Sequence, residues 1–247
     1  MGKKCNRRSG IHSKIGAGCL PKADRALLAE TEAFVKKELH AQDGSHDWFH
    51  IHRVRNLALK LARMEGINNR LVVELAALLH DIRDWKYSGD ENEGIVEVEK
   101  FLGSKNCPKC VTEQVLHIVK NIGFKNELAA ERANGDSKLI ITPELAVVQD
   151  ADRLDAIGAI GIARTFTYGG SRNRALYDPD IKPCINITKE QYMKKGRNEP
   201  TINHFYEKLL KLKTKMKSKS GRQVAEGRHK YMEEYLEKFC REWSGEE

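Results

Sequence analysis

Apolar side chains recur along this chain at intervals of three and four residues, the period of one buried helix face. Leu27, Leu28, Thr31, Phe34, Val35 and Leu39 trace such a stripe and predict an amphipathic helix over 23–40, broken by Asp43-Gly44-Ser45. A second helix is predicted over 46–64, with Gly66 as its C-terminal stop signal. Asn68 or Asn69 then caps a third, whose run from Leu71 to Leu79 is apolar almost all round. Shorter helices are predicted over 94–102 and 111–122, with loops over 87–90 and 125–138. Thr142-Pro143-Glu144 sets a capping hydroxyl before a proline at the first helical position. The helix it starts is predicted to run through Arg153 to about Arg164, and its small residues over 156–161 allow close packing of another element. The stretch 167–200, rich in Gly, Asp, Pro and Arg, reads as one long loop. Two helices, over about 202–219 and 222–243, finish the chain. With no strand series and no internal repeat, the fold class is all-α. One helical domain over 23–247 follows an arm over 1–22, and its core for chemistry spans about 46–165.

At 247 residues and 40% hydrophobic, the chain can bury one sizeable core. It has no run of about 18 apolar residues, so no transmembrane helix is expected. The arm carries Lys3, Lys4, Arg7, Arg8 and Lys14, with no acidic residue before Asp24, and lacks the apolar centre of a secretory signal. It reads as a disordered basic tail on a cytoplasmic protein, with organelle import by that tail as the alternative. Gly2 and Cys5 suggest acylation, but Asn6 stands where a myristoylation signal has Ser or Thr. The net charge of +8 concentrates in the arm and over 211–230, and it steers anionic small molecules. Basic residues do not interleave with aromatic ones as in a nucleic-acid platform, so nucleic acid is not the favoured partner. Six cysteines in a chain this long do not make a disulfide framework. Cys107-Pro-Lys-Cys110 lacks the second pair of a structural zinc site and reads as a helix start with two incidental thiols.

Against this background the doublet His80-Asp81 stands out, because it closes the most apolar helix of the chain. Burying an imidazole and a carboxylate without partners costs several kcal/mol, on the order of 2–7 for each polar group. A divalent metal ion satisfies both. A third ligand candidate is His50, which lies on one stripe with Val54, Leu57, Ala58 and Leu61, whereas His52 shares a face with Asn56 and Lys60 and meets solvent. The next comes from 149–155, where Asp150, Asp152 and Asp155 interrupt an apolar helix. Asp150 and Asp152 are about 200° apart around a helix axis, so both cannot face one site. Amphipathicity does not choose between them, and a buried Asp–Arg pair with Arg153 is the plain alternative for any of the three.

The order His50, His80-Asp81, Asp152 resembles the HD-domain metal-dependent phosphohydrolase superfamily. The resemblance is carried by His50-Ile51-His52-Arg53-Val54, Leu79-His80-Asp81-Ile82 and Ala151-Asp152-Arg153-Leu154. Longer stretches at 45–48, 149–158 and 203–210 look like an uncharacterised HD-domain subgroup that includes a bacterial nucleotide pyrophosphohydrolase. The resemblance implies the HD helical fold and favours Asp152 as the fourth ligand. Two imidazoles and two carboxylates suit Mn²⁺, Mg²⁺, Fe²⁺, Co²⁺ or Ni²⁺ better than a thiolate zinc site would, with Mn²⁺ first. On a six-coordinate ion they leave two positions for water and a substrate oxygen, which suits hydrolysis of a phosphate ester or anhydride. Asp84 follows Asp81 by three residues, an offset at which resembling hydrolases carry an acid, and is the candidate to orient the water or take its proton. Lys86 and Arg164 are the candidate phosphate-binding cations, with Arg53, Lys120, Lys125 and Lys208 behind them. His117 and His204 read as hydrogen-bonded structural residues ahead of any contact with a leaving group. The function expected is release of pyrophosphate from a nucleoside triphosphate. The alternatives are phosphomonoester or phosphodiester hydrolysis, or a non-catalytic scaffold for nucleotide or RNA.

Overall fold

The structure is a computed structural model, and it describes residues 20–39, 47–82, 93–123, 140–185 and 199–246. The basic arm up to residue 19, His46, Asp84, Lys86 and Lys125 lie outside the described residues. Within them the chain forms α1 (Lys22–Glu38), α2 (Trp48–Met64), α3 (Arg70–Leu79), α4 (Glu93–Ser104), α5 (Lys109–Asn121), α6 (Pro143–Asp155) and α7 (Gly158–Ser171). A short α8 (Asn203–Glu207), a 3₁₀ helix (Leu209–Lys215) and a long α9 (Lys219–Ser244) follow, and the described residues contain no strand.

The core is assembled on α3. Every residue from Val72 to Leu79 is buried, Glu74 among them, so this helix is enclosed on all sides as its composition predicts. It packs against α1, α2, α5 and α6, while α2 also lies along α6. The apolar stripe of α2 is buried at Ile51, Val54, Ala58 and Leu61, and His50 is buried at its head. Glu74, the charged residue inside α3, is met by Arg55 Nε at 2.9 Å and Arg70 Nε at 3.3 Å. Gly66 ends α2 with φ +70°, as its stop signal predicts. Thr142 caps α6 by accepting from Leu145 N at 3.1 Å, with Pro143 in the first turn.

Three of the predicted boundaries differ. The helix expected to continue to about Arg164 stops at Asp155. Ile157 is extended (φ −126°, ψ 164°), and Gly158, the first residue of α7, adopts φ +75°. The reason is tertiary: a Cβ on Gly158 would stand 3.0 Å from the Cβ and Cγ of Arg228 in α9. The small-residue run does admit another element, but at a bend. The loop expected over 167–200 begins only after Ser171, because α7 runs through Gly169 and Gly170. Gly169 is needed there, since a Cβ would come within 2.2 Å of Thr201 Oγ1. Finally, the helix expected over 202–219 is a short α8 and a 3₁₀ helix ending at Lys215. The amides of Lys217 and Ser218, which a continuous helix would use internally, are taken by the Asp150 carboxylate at 2.8 and 2.7 Å.

Candidate metal centre

Three helix ends meet at one point. His50 sits in the first turn of α2, where Asp47 caps the helix by accepting from His50 N at 3.0 Å. His80 and Asp81 come at the C-terminal end of α3, where Leu79 is the last helical residue. Asp152 projects from the last turn of α6. His50 Nε2 lies 3.3 Å from Asp81 Oδ2 and 3.6 Å from Asp152 Oδ1. His80 Nε2 lies 3.6 Å from Asp81 Oδ1 and 3.7 Å from Asp152 Oδ1. One donor atom each from His50, His80 and Asp152 fall within 4.8 Å of one another. The two rings meet edge to face with centroids 5.3 Å apart.

The hydrogen bonds behind this cluster decide what its inner face offers. His80 Nδ1 lies 2.9 Å from Ala77 O. A carbonyl only accepts, so Nδ1 carries a proton and Nε2 is the nitrogen left to face the cluster. That Nε2 is buried and has no hydrogen-bond partner among the described residues. A buried imidazole nitrogen beside two carboxylates is a place for a cation. The same need appears in the charge balance. Burial lowers the His80 pKa, but Asp81 and Asp152 more than reverse this and raise it from 6.5 to about 9. Burial pushes Asp152 up, and the facing His80 and His50 hold it below the usual carboxylate range. Without a metal, the two carboxylates favour a proton on His80, the positive charge that a divalent cation would replace. The donor set therefore fits a divalent ion bound by two nitrogens and carboxylate oxygens. The Asp152 side chain is 33% exposed, so the cluster opens to solvent on that side.

Asp150 points elsewhere. It is fully buried and faces the start of α9, as the angular separation from Asp152 requires. Asp155 is the residue for which the sequence offered only a buried pair with an arginine beside ligation. Its Oδ2 lies 2.8 Å from His50 Nδ1, and it accepts from Arg53 Nε at 2.8 Å, Arg53 Nη2 at 3.0 Å and Arg164 Nη1 at 3.1 Å. Burial raises its pKa, but hydrogen bonds from His50 and Arg53 lead the opposing effects and bring it to about 2. The signal available in sequence was spacing: Asp155 follows Asp152 by three residues and Arg53 follows His50 by three, one helical turn in each helix. Arg164 is thus placed against Asp155, with 12% of its side chain exposed. His117 Nε2 lies 3.0 Å from Ile140 O, the structural role expected of it. His52 is exposed, also as expected.

An all-helical core that brings a histidine from one helix, a His-Asp doublet from a second and an aspartate from a third to one point is the architecture of metal-dependent phosphohydrolases of the HD type. Residues 48–157 match the HD domain family model. The chain is 31% identical over 218 residues to the uncharacterised protein YpgQ of Bacillus subtilis, covering 87% of this chain and 93% of YpgQ. A crystal structure of YpgQ in complex with ADP aligns with a TM-score of 0.66 over 89% of this chain and 96% of that one. An HD-superfamily hydrolase from Bacillus thuringiensis is 40% identical, with a TM-score of 0.66 over 90% of this chain and 98% of its own. A Lactobacillus plantarum protein of known crystal structure is 33% identical, with a TM-score of 0.76 over 89% and 98%. The chain belongs to the HD-domain family and is a metal-dependent phosphohydrolase. No helix of the described residues is long and apolar enough to cross a membrane.

Proposed function

We propose that this enzyme hydrolyses nucleoside triphosphates and releases pyrophosphate, with His50, His80, Asp81 and Asp152 holding one divalent ion, Mn²⁺ first among the candidates. The observation that carries the nucleotide reading is that YpgQ, similar over nearly its whole length, is a protein solved with ADP bound. The net charge of +8 supports an anionic substrate. When bound, such an ion acidifies a water molecule and polarises a phosphoryl oxygen. The chain's own residues then divide the remaining work. His80, with Nδ1 tied to Ala77 O, has Nε2 aimed inward, the nitrogen that would take the ion once its proton is displaced. Asp152 stands at the open side, where substrate enters. In this reading Asp84 takes the proton of the attacking water, and Lys86 and Arg164 meet the phosphate oxygens.

A panel of nucleoside mono-, di- and triphosphates, assayed with Mn²⁺ and with Mg²⁺, tests the proposal by separating pyrophosphate from orthophosphate release. Pyrophosphate from a triphosphate, lost in His80→Ala, is the expected result. Orthophosphate alone would assign a phosphomonoesterase, and cleavage of a phosphodiester would assign a diesterase. Nucleotide or RNA binding with no turnover in the presence of either metal would replace the enzyme with a scaffold.

A further inference from the structure

Asp155 is nearly buried, with 4% of its side chain exposed, and spends its carboxylate on four hydrogen bonds from three side chains. One comes from the ring nitrogen of His50 that faces away from the metal cluster. Since the carboxylate only accepts, His50 Nδ1 must donate, and Nε2 is left as the nitrogen that points to Asp81 and Asp152. The other three come from guanidinium groups. Arg53, one turn along α2 from His50, grips Asp155 with Nε on Oδ1 and Nη2 on Oδ2. Arg164 reaches it from α7 across the bend at Gly158. A bidentate arginine fixes the plane of a carboxylate as well as its charge. The plane of the His50 ring is therefore set by a chain of contacts running from α7 and α2 through Asp155.

We infer that Asp155 is a positioning residue for the metal centre. It sets the tautomer and orientation of His50 and is itself locked in place by Arg53 and Arg164. A hydrogen-bonded carboxylate behind a metal-ligating imidazole makes that imidazole a stronger and better-aimed donor, and losing such a partner weakens metal affinity by roughly 10–100-fold. The bend between α6 and α7 takes on a purpose here. It turns α7 back far enough for Arg164 to reach a carboxylate in the last turn of α6. The inference rests on His50 being a ligand, as proposed above.

The test is Mn²⁺ binding by the metal-free full-length protein, with free Mn²⁺ counted by its electron paramagnetic resonance signal. Asp155→Asn keeps the shape but removes the charge. It should bind Mn²⁺ roughly 10–100-fold more weakly than wild type. His50→Ala, measured beside it, should lose the site. If His50→Ala binds like wild type, the ligand set itself is wrong. If His50→Ala loses the metal while Asp155→Asn stays within about twofold of wild type, the ligand set stands and the positioning role is overturned. A second measurement does not depend on any variant folding: a ¹⁵N-histidine spectrum of the wild-type protein saturated with Mg²⁺. A His50 protonated at Nδ1, with that proton protected from exchange, supports the inference. A His50 protonated at Nε2 refutes it.

Discussion

Replacing Asp150 by asparagine separates two carboxylates that stand two residues apart and that composition alone could not rank as ligands. Asp150 is fully buried, and its acceptors serve the segment entering α9. Oδ1 accepts from Lys217 N at 2.8 Å, and Oδ2 accepts from Ser218 N at 2.7 Å and Ser218 Oγ at 2.6 Å. Ser218 in turn caps α9 by accepting from Gly221 N at 3.0 Å. Asparagine retains one accepting oxygen and turns the other into a donor. Whichever way the amide lies, at least one backbone N–H then faces another N–H. A hydrogen bond to a charged acceptor contributes roughly 1.5–3 kcal/mol net. A negative charge at the start of a helix adds roughly 0.3–1 kcal/mol. The loss on Asp150→Asn should be about 2–4 kcal/mol. In a chain of this length that corresponds to a fall in Tm of about 5–15 °C. Urea unfolding and thermal melts of the metal-free protein read the stability, and a Mn²⁺ titration of the same variant reads the site. Its affinity should stay within about twofold of wild type, whereas Asp152→Asn should lose the metal. Unfolding of Asp150→Asn within about 0.5 kcal/mol of wild type, or retained stability with loss of the metal, would refute this division of roles.

Three further outcomes follow from the same geometry. Chelation should lower Tm, because an ion present at about 100 times its Kd stabilises the folded state by about 2.7 kcal/mol, so melts with and without a chelator should differ by several degrees; an unchanged Tm at saturating Mn²⁺ would count against a metal that binds only the folded chain. In the metal-free protein Asp155, lowered from 3.8 to about 2 by His50 and the two arginines against the effect of burial, contributes stability that is fully present above pH 3.8 and is lost as pH falls through 2; acid unfolding should be shallower in Asp155→Asn, and identical curves would contradict this. Gly158→Ala should destabilise by about 1–3 kcal/mol, since φ +75° disfavours any side chain and its Cβ would meet Arg228 at 3.0 Å; a melt equal to wild type would show that the bend relaxes freely.

Elements held by their own periodicity are legible in the sequence. The stripes of α1 and α2 and the enclosed run of α3 are buried where their spacing places them, and Thr142-Pro143 starts α6 as its chemistry demands. The boundaries that differ are those imposed from a distance. The local signal that α6 ends near Asp155 is Gly158, at φ +75°, which the apolar periodicity around it masks. The bend is made where Arg228 crowds Gly158 and donates to Leu154 O. Nothing local ends the 3₁₀ helix before Lys217, because its amides are claimed by Asp150 from 67 residues away. The candidate site divides in the same way. His50 and His80-Asp81 are visible as polar residues where apolar ones belong, but the choice of the fourth ligand depends on resemblance to known hydrolases. The structure supplies the physical reason. Around the axis of α6, Asp152 and Asp155 are about 60° apart and face α2, while Asp150 lies about 200° from Asp152 and faces α9. Three carboxylates on one helix thus meet three different neighbours: a helix start, a histidine cluster and a pair of arginines. A one-residue insertion between Asp150 and Asp152 would rotate the latter two by about 100° and break both contacts, while leaving the helix start capped. The angle between these residues therefore carries the chemistry, and that angle becomes readable only once the partners on either side of the helix are known.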